Sequence, residues 1–320
     1  MDAALIRRKL IRWYQRTKRD LPWRRTRDPY AIWISEIMLQ QTRVAAVIPY
    51  YERFLARFPD AAALADAPES ELLRMWAGLG YYSRARSLHK AARQIVEHGT
   101  FPRDWDSIRE LAGVGEYTAA AVASIAFGLP HAAVDGNVRR VLVRLANNAA
   151  ADVEKQASLL LDRRDPGRWN QAVMELGALV CLPREPRCGE CTVGAHCQAR
   201  MRGTQSDLPA RRAKPSAIHL RRTLLVIRRR GRILLTRSSR VRGFWDLPEP
   251  FDGVRAGEKL GEFTHTITHR RYRFAVRKGI ARRTVNTCAW FPSKNLHEIP
   301  LSTTAKKALR CLDRYEQGVS

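Results

Sequence analysis

The chain is short of acid. Its 320 residues carry 31 Asp plus Glu against 57 Lys plus Arg, a formal charge of +26, with a pI near 10.8. Such an imbalance concerns partners rather than fold, and the commonest soluble polyanion is nucleic acid. Long apolar runs are missing as well. The longest uncharged stretch, Tyr117 to Val134, is mostly small alanines and is broken by Gly128 and Pro130, so it falls short of a spanning helix. No long basic amphipathic helix offers an aromatic face to a bilayer, and membrane binding is not expected. The first ten residues, MDAALIRRKL, carry charge where a secretory leader needs an apolar core. The expected location is the cytoplasm, at the nucleoid. Internal repeats, low-complexity tracts and heptads are also lacking, which points to a monomer.

Cysteine is scarce, six in all, yet four lie within seventeen residues: Cys181, Cys188, Cys191 and Cys197, spaced C-x6-C-x2-C-x5-C. A reducing compartment disfavours disulfides. Four thiolates this close can hold one metal centre. The spacing departs from zinc knuckles, where two C-x2-C pairs flank a longer loop, and a [4Fe–4S] cluster ligated by four cysteines can take a compact, uneven loop. Zinc remains open on spacing alone. Cys288 and Cys311 have no metal-type spacing and are expected to be buried thiols.

The length suits about two domains. Residues 1–200 read as helical, with apolar residues at three- and four-residue steps, as in Val138, Val141, Leu142 and Leu145. Residues 201–219 are polar and basic with two prolines, a linker. From residue 220 to 320 the texture turns to β: Thr223–Ile227 and Ile233–Thr236 flank a turn at Arg230–Gly231, and Tyr272, Phe274 and Val276 alternate with polar residues. Thr303 to Tyr315 reads as a closing amphipathic helix.

Two segments carry chemistry. Leu111-Ala-Gly-Val-Gly-Glu-Tyr-Thr is a glycine turn opening an alanine-rich helix. Gly113 and Gly115 let the backbone bend and approach another chain, and the helix start offers free N–H groups to a phosphate. Further on, Asp135 precedes an amphipathic helix, where capping and catalysis both fit.

A glycine hairpin, an aspartate and a C-x6-C-x2-C-x5-C loop in this order resemble the endonuclease III superfamily of DNA glycosylases. Trp33-Ile-Ser-Glu36-Ile-Met-Leu-Gln-Gln-Thr42 and Gly78-Leu-Gly-Tyr-Tyr-Ser-Arg84 resemble its MutY-type adenine glycosylase branch, and the likeness runs from about Trp13 through Cys197. The resemblance implies a mainly α, helix-hairpin-helix enzyme, a six-helix barrel plus an iron–sulfur lobe, followed by a smaller α+β Nudix-like domain. It implies removal of adenine mispaired with 8-oxoguanine or guanine in double-stranded DNA, and a [4Fe–4S] cluster.

Residue types then suggest roles. Breaking an N-glycosidic bond needs a proton for the departing base and negative charge near the electron-poor sugar, which two carboxylates in different environments supply. Glu36 sits among Ile32, Trp33, Ile34, Ile37, Met38 and Leu39, where burial raises an acid's pKa. Asp135 at a helix N-terminus is favoured as an anion. Glu36 is therefore expected as general acid and later base, and Asp135 as the carboxylate that steadies the sugar cation. Bifunctional relatives place a lysine where Tyr117 stands; a phenol cannot form an imine, so the expected enzyme leaves the abasic site uncut. Base extrusion falls to Gln41 and Tyr81 by the resemblance, and the flipped adenine to Trp23, Arg24 and Gln171.

Two departures from the family pattern stand out. Ala112 replaces the usual hairpin proline, which should loosen the turn. In Thr264-His-Thr-Ile-Thr-His269 the usual aromatic-Ser-His triplet of the lesion-reading loop is Ile267-Thr268-His269, which keeps a hydroxyl at Thr268 and a ring at His269 and loses the aromatic wedge. The acidic helix of a working Nudix hydrolase is absent, so pyrophosphatase activity is not expected. Arg184, Arg187, Arg200 and Arg202 surround the cysteines, which suits a structural cluster beside phosphates. Two other readings compete: a thymine or uracil mismatch glycosylase on the same scaffold, and a non-catalytic iron–sulfur regulator that binds DNA.

Overall fold

The computed structural model describes residues 2–150, 152–210, 216–252, 254–267, 269–281 and 288–318. The chain divides into two compact units, Met1–Asp66 with Arg86–Arg212, and Ala67–Ala85 with Ala213–Ser320.

Helices build the first part of the chain: α1 (Ala3–Thr17), α2 (Pro29–Leu39), α3 (Val44–Arg57), α4 (Ala61–Asp66), α5 (Glu69–Trp76), α6 (Tyr82–Glu97), α7 (Trp105–Arg109), α8 (Glu116–Phe127), α9 (Gly136–Ala146), α10 (Val153–Leu160), α11 (Pro166–Leu179) and α12 (Gln198–Met201). Many start on a side-chain cap that satisfies an otherwise orphaned N–H. Asp28 accepts from the amides of Tyr30 and Ala31 ahead of α2, with Pro29 at the first helical position where its missing N–H costs nothing. Asp135 accepts from the Val138 amide ahead of α9. The α9 stripe read from the sequence is real: Val138, Val141, Leu142 and Leu145 are buried against α1 and α11, meeting Ile6, Leu10, Trp169 and Leu176. α2 differs. Every residue from Tyr30 to Met38 is buried, so this helix is enclosed on all sides and packs on the alanine-rich α8, whose small side chains permit close approach.

The second unit is α+β. Its strands are β1 (Ile218–Val226), β2 (Arg228–Arg229), β3 (Arg232–Arg237), β4 (Trp245–Asp246), β5 (Val254–Ile267), β6 (Arg270–Ala281) and β7 (Cys288–Pro292), and α13 (Thr303–Glu316) closes it. One sheet has the order β1-β6-β5, with β1 parallel and β5 antiparallel to β6. In the other, β3 pairs antiparallel with β2, β4 and β7. The expected turn joins β2 to β3, with Arg230 and Gly231 both at positive φ, the two-residue loop that matches strand twist. Tyr272, Phe274 and Val276 all point into a core shared with Leu224, Val226, Leu235 and the α13 residues Ala305, Ala308 and Cys311. Cys311 is buried as expected, whereas Cys288 at the start of β7 is half-buried.

The Gly243-Phe-Trp-Asp-Leu-Pro stretch serves this core. Phe244 is wholly buried and packs 4.2 Å from the Tyr82 ring, both within the second unit. Asp246, also buried, accepts from Thr304 at 3.1 Å, Ser238 at 3.1 Å and Arg240 at 2.9 Å, tying β4 to the start of α13. The sequence pattern carries no signal that residues Ala67–Ala85 group with this unit.

Candidate active site

Trp23, Arg24, Glu36, Gln41, Tyr117, Asp135 and Gln171 line one cavity of about 540 Å³ in the helical unit. They arrive from the Pro22–Arg24 turn, α2 and its C-terminal end, the start of α8, the cap of α9, and α11.

Glu36 has no polar helix face to turn toward, and its side chain is 6% exposed. Burial pushes its carboxyl up to about 7, and the Asp135 charge adds to this. The Tyr117 phenol, which donates to Oε2 at 2.7 Å, and the Arg24 cation pull the other way without prevailing. Burial, followed by the neighbouring carboxylates, raises the Tyr117 phenol well above its ordinary value, so it remains a donor. Asp135 is the cap expected from the sequence, and it also faces the cavity. Its Oδ1 accepts from the Val138 amide at 2.7 Å as a helix cap, its Oδ2 accepts from the Asn137 amide side chain at 2.8 Å, and it still lines the cavity.

Sequence reasoning missed the floor of the pocket. Glu175 on α11 is 1% exposed and is clamped by two arginines. Arg19 donates from its backbone and Nε at 2.9 Å and from Nη2 at 2.6 Å; Arg24 donates from Nη1 at 3.0 Å and Nη2 at 2.9 Å. Burial alone would raise this carboxyl, but the arginine donors bring it down to about 2. Glu175 is thus a buried acid paired with arginine, while the hydrogen bond at Glu36 comes from a phenol. Two expectations are refined. Arg24 faces the cavity with its guanidinium already engaged, and Gln171 has its carbonyl taken by the Tyr14 hydroxyl at 3.0 Å. The signal for Glu175 was available: Ala172-Val-Met-Glu-Leu sets a lone acid in an apolar run, as around Glu36.

A second missed feature links the cavity to the cysteines. Asn137, besides holding Asp135, accepts from Arg140 Nη2 at 2.8 Å, and Arg140 donates onward to the carbonyls of Gly177 and Cys181, both at 2.7 Å. Cys181, Cys188, Cys191 and Cys197 line one small cavity together with Arg144 and Arg200, and all four are free thiols. Among the described residues no group of three or more His, Cys, Asp or Glu is already gathered closely enough to hold a metal ion. Arg144, 2% exposed, donates from Nη1 to Cys181 Sγ at 3.2 Å and to the Leu182 carbonyl at 2.7 Å. Burial pushes the Cys191 thiol up to about 11, and a bound cation would act against that shift. A Cβ at Gly194 would meet the Arg200 guanidinium at 2.2 Å, so a larger residue there would push that side chain aside.

Other expected site residues are not among those that line the cavity. Gly113 has φ +79°, and a Cβ there would meet Ser87 at 2.5 Å, so only glycine fits. Gly115 is the extended cap of α8 with open space beside it. The expected loosening at Ala112 is offset: its amide, which a proline would lack, donates to Gln94 Oε1 at 2.8 Å. Tyr81, in the second unit, is displayed at φ +48° and 47% exposed, with the Arg84 guanidinium 5.4 Å from its ring centre and the turn pinned by Trp76 Nε1 to the Gly80 carbonyl at 3.1 Å. His269 is exposed in the turn between β5 and β6; Thr268 falls outside the described residues. No helix among the described residues is long and apolar enough to cross a membrane.

Comparison with known proteins defines the class. Residues 34–164 match the HhH-GPD superfamily base excision DNA repair protein family. The chain is 46% identical over 228 residues to the human adenine DNA glycosylase, covering 65% of this chain and 42% of the relative. It is 42% identical over 214 residues to that of Mycolicibacterium smegmatis, covering 64% of this chain and 73% of the relative. The solved structure of a thermostable thymine-DNA glycosylase superposes with a TM-score of 0.59 at 30% identity, over 62% of this chain and 97% of that one. The chain spans less than half the length of the human relative. It is a member of the HhH-GPD superfamily of base-excision DNA repair proteins. Within that superfamily it belongs to the adenine DNA glycosylase family.

The double clamp on Glu175 predicts its own test. Glu175→Gln leaves two guanidinium groups short of a counter-charge, which should cost about 3 kcal/mol, nearer the low end because Arg19 is 35% exposed and screened. Chemical denaturation of the variant should show it. Because the folded carboxyl lies below its unfolded value of about 4.3, the stabilisation is present above that pH and fades as pH falls toward about 2.

Proposed function

We propose that the chain is a monofunctional DNA glycosylase that hydrolyses the N-glycosidic bond of adenine mispaired with 8-oxoguanine or guanine. The observation that carries this reading is the pairing, in one cavity, of a carboxyl raised to about 7 at Glu36 with an oriented carboxylate at Asp135. Near neutral pH a large share of Glu36 is protonated inside a water-poor pocket, so it can hand a proton to a ring nitrogen of an everted purine. As the bond to the base lengthens, positive charge builds on the sugar. Asp135, fixed by the Val138 amide and the Asn137 side chain, meets that charge without reorganising. Once the base departs, ionised Glu36 takes a proton from the water that attacks the sugar. Tyr117 keeps Oε2 of Glu36 occupied, which aims the remaining oxygen at substrate. Trp23 offers a flat wall to the base, and the Arg24–Glu175 pair a fixed set of polar groups at the floor.

The four cysteines suit a [4Fe–4S] cluster: all line one cavity, and Arg144 presents an N–H to Cys181 as a thiolate ligand calls for. Such a cluster would tie the 181–197 loop together and, through charge, keep its thiols ionised. The basic surface supports double-stranded DNA as partner, the Gly113–Gly115 turn suits a backbone phosphate, and Gln41 and Tyr81 suit the space left by an extruded base. Thr268 and His269 are the proposed lesion-facing residues. The competing thymine reading has the thymine-DNA glycosylase likeness behind it; the raised acid favours a purine, whose ring nitrogen accepts the proton.

Four measurements test this reading. Duplexes holding A:8-oxoG, A:G, G:T and G:U pairs, treated with alkali after incubation, should break only at adenine; cleavage confined to the thymine or uracil strands would reassign the substrate. Glu36→Gln should lower single-turnover base release by about 10²-fold or more while duplex affinity stays within about twofold. In the parent protein that rate should hold below pH 7 and decline above it, as the acid at Glu36 ionises. Borohydride should trap no protein–DNA adduct, because Tyr117 supplies no amine; a strong covalent band would refute monofunctional chemistry.

A further inference from the structure

The first helix carries a row of cations that the catalytic cavity does not use. Ile6, Leu10 and Tyr14 are buried at four-residue intervals along α1, which turns Arg8, Arg12 and Arg16 outward as exposed residues, with Lys9 and Trp13 half-buried beside them. The helix itself contains no Asp or Glu. Among the described residues no carboxylate pairs with Arg8, Arg12 or Arg16. Arg7, by contrast, is committed to structure, donating to the carbonyls of Leu159 and Leu160 at 2.6 and 3.0 Å. Like charges one turn apart weaken a helix, so this row is maintained against local stability.

The row forms one wall of a concavity of about 520 Å³, whose other contributors include Trp13 and Thr192 of the cysteine loop. It shares no lining residue with the carboxylate cavity. Lys9 binds the rim to that loop: its Nζ lies 3.4 Å from His196 Nε2, and its carbonyl accepts from Thr192 Oγ1 at 3.4 Å. Cations four residues apart on a helix recur about every 6 Å. That spacing presents a line of positive charge rather than a single anion cradle. A membrane surface would need a broad apolar face, and this face sets Arg8, Lys9, Arg12 and Arg16 against only Leu5 and Trp13.

We infer that the Arg8–Arg12–Arg16 face is a second DNA-contact surface, which grips the phosphate backbone of duplex DNA independently of any damaged pair. The inference goes beyond the proposed reaction, because it concerns binding to undamaged duplex and survives even if no base is released. The test is equilibrium binding of the full-length protein to an undamaged duplex across about 50 to 200 mM salt, the range over which phosphate contacts register. Replacing Arg8, Arg12 and Arg16 together by Gln, which has similar helix propensity, should make the slope of log K against log salt shallower by about 2 to 3, at about 0.9 per lost contact. The matching Lys replacements should restore it, since a point charge suffices for a phosphate. If the triple variant loses helical signal, Arg12→Gln alone should still lower the slope by about 0.9. An unchanged slope in a folded Gln variant would overturn the assignment, whatever else the face binds.

Discussion

Removal of water from one carboxyl organises the rest of this site. Glu36 lies on a helix buried from Tyr30 to Met38, so the backbone leaves its side chain a single exit, into the cavity. Desolvation then acts on the charged form alone. A phenol and a nearby arginine oppose it, and the carboxyl still rises to about 7. An acid that is half-charged at neutral pH is costly to a fold: the folded state holds its proton up to about 7, the unfolded chain releases it near 4.3, and stability falls as pH rises between the two. A carboxyl kept at that cost inside a cavity is the kind of group expected at a functional site.

The same pocket holds a second buried glutamate in the opposite condition. Glu175 is as enclosed as Glu36, yet two guanidinium groups around it hold it near 2. Burial acts to raise both carboxyls, so the lowering at Glu175 must come from its partners. The partners decide: a neutral phenol gives one donor and no charge, while two arginines give five hydrogen bonds and two charges. A permanent anion at the floor and a titrating acid on the wall thus coexist in one cavity. Asp135 is a third type, neither enclosed nor ion-paired, with both oxygens fixed by amide donors.

Much of this was legible in the sequence, for a physical reason. A carboxylate in an apolar run, an aspartate ahead of an amphipathic stripe and a glycine pair before an alanine-rich helix are local patterns, and Glu36, Asp135 and Gly113 sit where those patterns put them. What escaped depends on residues far apart in the chain. Arg19 and Arg24 meet Glu175 across about 150 positions, Gln94 reaches the Ala112 amide from α6, past the intervening α7, and the grouping of Ala67–Ala85 with the second unit has no periodic signature. Glu175 itself could have been suspected from its apolar neighbours, but whether such an acid is raised or lowered is set by partners that spacing does not reveal.

The run Asp135–Asn137–Arg140–Cys181 shows how a local cap becomes part of a longer constraint. Asn137 spends its amide nitrogen on Asp135 and its oxygen on Arg140, and Arg140 divides its donors between α11 at Gly177 and the carbonyl of the first cysteine. Gly177 must be glycine there, because a Cβ would meet Asn137 at 2.7 Å. α9 therefore cannot shift against α11 without disturbing either the orientation of Asp135 or the path of the chain into Cys181. Arg144, one turn further along α9, holds Cys181 Sγ and Leu182, so a single helix fixes the aspartate at its N-terminus and the cysteine loop from its flank. Any group that tied the four thiols together would then also stiffen the cap, and so would act on the orientation of Asp135 from a distance.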